Sequence, residues 1–80
     1  MPPLREVWTL CRVPREAICY LRYTLEAYEG LCIPTTVPGR GGLVRLLTEA
    51  RLTPELDRVL AGLAEEIPLE ILGRGEEGEA

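Results

Sequence analysis

Between Val7 and Gly30 the spacing of apolar residues changes at a single proline. Upstream of Pro14 the residues alternate, with Val7, Thr9, Cys11 and Val13 on one side and Glu6, Trp8, Leu10 and Arg12 on the other, which is the period of a strand. Downstream, Ile18, Leu21, Leu25 and Tyr28 recur at intervals of three and four with Ala17 beside them, which is the period of a helix. Proline fits the first turn of a helix, and Gly30 supplies a left-handed stop. A strand over Leu4–Val13, tied to a helix by so short a junction, must pack beneath it. Both sides of that strand carry apolar groups in the middle, so it is expected to be central, with helices on one face and an unusually greasy second face.

The remaining chain supplies matching parts. Leu31 to Val37 is β-branched and reads as a second strand, and Pro34 assigns it to a sheet edge, because proline cannot donate to a ladder. Pro38 to Gly42 reads as a hairpin loop and Leu43 to Thr48 as a third strand. Thr53 is expected to cap a second helix, with Pro54 at its first position and Glu55 and Asp57 favoured by the macrodipole. Its stripe is Leu56, Val59, Leu60, Leu63 and Ile67, and Pro68 ends it. Leu69 to Leu72 reads as a short last strand.

The order β-α-β-β-α-β predicts an α+β, ferredoxin-like sandwich: a four-stranded antiparallel sheet, order 4-1-3-2, with two helices on one face. Residues 1–73 would form that single domain and residues 74–80 an acidic flexible tail. Eighty residues support only a thin core, so a partner subunit would add stability that the monomer lacks.

Composition narrows the function classes. The chain has 9 basic and 13 acidic residues, net −4, which argues against nucleic acid and anionic lipid as partners. His, Ser, Asn, Gln, Lys and Phe are absent, so the usual triad and acid–base players are missing. Missing amides fit a thermophile, and they fit high-GC coding bias at least as well, since Lys is missing too. Cys11, Cys19 and Cys32 form no Cys-x-x-Cys pair and read first as small buried hydrophobes. With no signal peptide and no long apolar run, the protein is expected to be cytoplasmic with reduced thiols, off the membrane, and without metal or cofactor.

Three places could carry function. The uncovered sheet face would present Trp8 and Leu10, joined by a set such as Cys32, Pro34, Leu43, Leu47 or Leu72, with register open by one residue. A patch of that kind predicts self-association, unless arginine stems and the tail cover it. At the first strand-to-helix junction Arg12 and Arg15 flank Pro14 and could hold an anion, the alternative being two solvated surface arginines. Arg40, in the loop Pro38-Gly39-Arg40-Gly41-Gly42, is a further ligand candidate. That loop joins two strands, however, which favours a hairpin turn over a phosphate cradle.

The stretch CRVPREAICYLRYTLEAYEGL, followed by a Thr-bearing strand and a hairpin, resembles a family of small uncharacterised bacterial proteins, a domain of unknown function. At fold level the chain is also similar to ACT-type regulatory domains. That resemblance implies subunits paired through sheets or helices, with small effectors, commonly amino acids, held near the first strand-to-helix loop. Where those domains carry an Asp or Asn and a Gly, this chain has Arg12-Val13-Pro14-Arg15. Other ferredoxin-like classes lack their chemistry here: acylphosphatases need an asparagine, metal carriers need paired cysteines, and RNA-recognition sheets need aromatics on the third strand. The expected function is a non-catalytic, ACT-like binding or regulatory module that forms a homo-oligomer and takes a small acidic metabolite. The alternatives are a structural subunit of a larger complex and, less favoured, a thiol-dependent enzyme.

Overall fold

The computed structural model describes residues 5–77. Strand β1 (Glu6–Arg12) runs through a 3-10 turn (Arg15–Ala17) into α1 (Ile18–Glu26), and β2 (Ile33–Thr36) follows. β3 (Leu43–Glu49) then runs through a second 3-10 turn (Ala50–Leu52) into α2 (Thr53–Ala64), and β4 (Glu70–Glu76) closes the fold. The four strands form one antiparallel sheet in the order β2-β3-β1-β4. Counted from the β4 edge the neighbours run 4-1-3-2, with β1 and β3 central. Pro34 stands in the edge strand β2, where its missing N–H interrupts no inner ladder.

Alternation sorts the sheet into two faces. Cys11, Val44 and Leu46 are fully buried and pack with Leu21 and Leu25 of α1 and Leu56, Leu60 and Leu63 of α2 in one cluster, so both helices cover the same face. Each such leucine contributes on the order of 2 kcal/mol by leaving water. Trp8, Leu10 and Arg12, paired with Leu47, Arg45 and Leu43, point the other way. No helix among the described residues is long and apolar enough to cross a membrane.

Three local expectations are corrected. Thr53 is the first residue of α2, not its cap: the cap position is Leu52, and the Thr53 N–H donates to the Ala50 carbonyl inside the 3-10 turn. That turn does the work a side-chain cap would otherwise do. Tyr28 lies past the end of α1 and is exposed, and Gly30, with φ of +77°, sits in the turn beyond the helix.

The last strand continues past Leu72 through Arg74 to Glu76, so residues 74–76 are sheet; residues 78–80 lie outside the described residues. The reason is tertiary. Gly75 is the partner of Trp8, and a Cβ on it would come within 2.6 Å of the indole ring, while one on Gly73 would stand 3.8 Å away. Gly75 leaves room for the tryptophan, whose ring in turn covers the glycines of the edge strand. Arg74 donates from Nε to Thr9 Oγ1 at 2.9 Å and clamps Asp57 of α2 with its two terminal nitrogens at 2.5 and 3.2 Å. Glu76 and Glu77, read as tail, pair with Arg5 and Arg45 at 2.5 and 2.6 Å.

Candidate functional site

The hairpin loop is welded to the first junction. The Val13 N–H donates to the Gly42 carbonyl at 2.8 Å, and Gly42 adopts φ of +83°. A Cβ there would overlap the Val13 carbonyl oxygen, so only glycine fits. One residue earlier, a Cβ on Gly41 would stand 3.1 Å from Arg15 Cδ: the arginine stem lies along the loop backbone. Two segments distant in sequence therefore form one surface, and Arg40 is brought to the same place as Arg15.

Two clefts open on that surface and share Arg15. The larger, about 540 Å³, runs between Arg12–Arg15 and Pro68–Glu70 and is walled mostly by Val13, the two prolines and Leu69. A second of about 320 Å³ lies between Arg15 and Arg40, floored by Gly39, Gly41 and Gly42 with Thr36 at its side. The helix start contributes less than expected. Ala17 donates to Pro14 and Ile18 to Arg15 inside the 3-10 turn, so the amides left over are those of Arg15 and Glu16.

Charge pairing singles out the same corner. Among the described residues, ion pairs engage Arg5, Arg12, Arg22, Arg45, Arg51, Arg58 and Arg74. Arg15 and Arg40 have no carboxylate partner among the described residues. Arg12 is held loosely by Glu70 at 3.9 Å and borders the larger cleft only. Of the three arginines expected to meet a ligand, Arg15 and Arg40 share the smaller cleft, and Arg12 shares the larger one with Arg15.

The open face itself is a row with charged flanks. Ile33, Leu47, Trp8 and Gly75 stand side by side across the four strands, and Ile33 is 63% exposed. Trp8, Leu10 and Leu43 belong to this face as expected. Pro34 does not: it pairs with Leu46, on the helix side, and Cys32 likewise packs against the core. Leu47 stands on the open face as expected, and Ile33 takes the place of Pro34; the alternation about Pro34 holds that signal once the register is known.

Burial pushes the Cys11 and Cys32 thiols up to about 11, so both are protonated at neutral pH, and Cys19 is exposed. Among the described residues no three Cys, Asp or Glu side chains are grouped as metal ligands would be.

No curated protein and no solved structure matches the chain. The sequence profile of a domain of unknown function, DUF4911, matches residues 11–67, a span that takes in the junction, the glycine loop and both helices and stops short of β4. Since that span is well over half of the 80 residues, the chain with this arginine-lined corner belongs to the DUF4911 family.

Proposed function

We propose that this protein is a non-catalytic regulatory module of ferredoxin-like, ACT-like build, which binds a small acidic metabolite at the first strand-to-helix junction. One observation carries the reading: Arg15 and Arg40, the two arginines without a carboxylate partner among the described residues, border adjoining clefts at that junction. An unpaired guanidinium beside an apolar cavity recognises an acid group, and the cavity walls hold the rest of the molecule. Non-catalytic action is supported by the two protonated core thiols and by the absence of His and Ser from the chain. Free thiols on all three cysteines support a reducing, cytoplasmic setting.

A thermal-shift panel of amino acids, nucleotides and organic acids tests the binding claim. A Tm rise of more than about 1 °C at excess ligand is expected for at least one class, and a flat panel would remove the claim.

The open face carries a second element of the reading, self-association of two copies through the row Ile33–Leu47–Trp8. Ile33 is the residue to change, because it is exposed and holds no core position. Ile33→Arg should lower the mass measured by light scattering while the circular dichroism spectrum stays the same. An unchanged mass would leave the structural-subunit alternative as the better account of that face.

A further inference from the structure

We infer that the anionic group of the ligand is a phosphomonoester seated between Arg15 and Arg40 over the glycine loop, with the organic body of the same molecule in the larger apolar cleft. The inference rests on the small-molecule reading above and names the ligand class for it.

The two clefts differ in chemistry. The larger is bordered by Arg15, by Arg12 with its partner Glu70 at 3.9 Å, and by the apolar surfaces of Pro14, Pro68 and Leu69. A dianion placed there would face a carboxylate. The smaller has no acid in its walls: it offers two guanidiniums, the Thr36 hydroxyl and the glycine backbone. Among the described residues the amides of Gly39, Gly41 and Gly42 donate to no backbone carbonyl, whereas the N–H groups of Arg40 and Leu43 are taken by Val37 and Arg40. Successive free amides in a glycine turn, two of whose members have φ near +75° or above, form a concavity suited to anions.

Counting donors decides between acid groups. A carboxylate is flat, carries one charge, and is saturated by a single guanidinium fork. Two guanidinium forks, a threonine and glycine amides lining one cleft from different segments exceed that need. A phosphomonoester carries nearly two charges at neutral pH and presents three strong acceptor oxygens in a tetrahedral spread, which matches them. Because Arg15 borders both clefts, one molecule can hold its phosphate in the smaller while its body lies in the larger. The other seven arginines are occupied by carboxylates, so no second pair competes for the same group among the described residues.

The test uses the full chain with three probes: inorganic phosphate, phenyl phosphate, and phenylacetate as the carboxylate with a comparable body. Titration calorimetry should show phenyl phosphate binding more tightly than either of the others. Arg15→Gln and Arg40→Gln should each weaken it about tenfold or more, since each removes a charge-assisted contact. In proton–nitrogen spectra the Gly39, Gly41 and Gly42 amides should move on adding inorganic phosphate. Phenylacetate binding as tightly as phenyl phosphate, or phosphate binding indifferent to both substitutions, would overturn the phosphomonoester and leave an acid-binding module in place. A panel hit among amino acids or organic acids, with neither phosphate probe binding, would have the same meaning. Silence from every probe and from the panel would bring down both readings together.

Discussion

The two strand-to-helix junctions use one backbone solution and differ in their charges. β1 and β3 each enter a three-residue 3-10 turn that rolls directly into a helix, and each turn carries an arginine, Arg15 in the first and Arg51 in the second. Arg51 is held by Glu49 at 3.1 Å, and its turn is sealed by the Ala50 N–H donating to the Arg5 carbonyl at 2.8 Å. Among the described residues Arg15 has no such neighbour, and its turn is sealed against a glycine loop that delivers Arg40, a second arginine without a carboxylate there. The lesson is that the turn geometry does not make the candidate site. What separates a structural corner from a receptive one is a cation left without a carboxylate, beside space.

The largest effect should come from breaking the first of these two seals, the one that requires a glycine. Gly42→Ala forces a side chain into a left-handed conformation and against the Val13 carbonyl, which should cost about 2–3 kcal/mol in urea unfolding. A wild-type midpoint would mean that the loop and junction are not one unit.

Next in size is the clamp on the second helix. Asp57→Asn should cost about 0.5–1 kcal/mol at neutral pH, a range already reduced for its exposure to solvent. The hydrogen bond from Arg74 holds the Asp57 carboxyl below its ordinary value. Its contribution is therefore complete above the unfolded value, about 3.9, and is lost as pH falls through the lower folded value. The stability gap between wild type and variant, followed by denaturant midpoints, should close as the medium is acidified below about pH 4. A gap that widens there would reverse the sign of the linkage.

Smaller still is Arg51→Gln, at about 0.5 kcal/mol or less, since an exposed pair two residues apart gains little. Paired with Arg15→Gln, which removes no ion pair, it sharpens the contrast. Midpoints should fall slightly for the first variant and stay put for the second. The finest distinction concerns thiols, all three of which belong to the first half. Timed alkylation read by mass spectrometry should label Cys19 first, because only about one in 10⁴ of a thiol held near 11 is ionised at pH 7. Equal rates at all three would mean that Cys11 and Cys32 are less buried than the core requires.

Much of the architecture was legible because local and global signals agree. The alternation through Val7 to Val13, the edge position of Pro34, the glycine loop and the leucine stripe of α2 each have one reading at both levels. The misreadings share a cause. Thr53 has every local mark of a cap, yet a 3-10 turn set by the end of β3 supplies what the cap would have. Gly73-Arg74-Gly75 has the composition of a tail, and only the Trp8 ring, more than sixty residues away in sequence, explains why glycine is needed at position 75. For the site, Arg15 could be singled out beside Pro14, but its convergence with Arg40 depends on a hydrogen bond from Val13 to Gly42. Which arginines remain unpaired depends on contacts such as Arg5 with Glu76 and Arg45 with Glu77, which no spacing rule reveals.

The tryptophan resting on the glycines of the final strand is the only one in the chain, so the near-ultraviolet emission of this protein comes almost wholly from one address. Peeling of the last strand would expose that indole to water and shift its colour before the helices melt. An instrument for watching the edge strand is thus already installed, and its silence or response during ligand titration at the cleft beside Glu70, where that strand begins, would tell how stiffly one end of it is tied to the other.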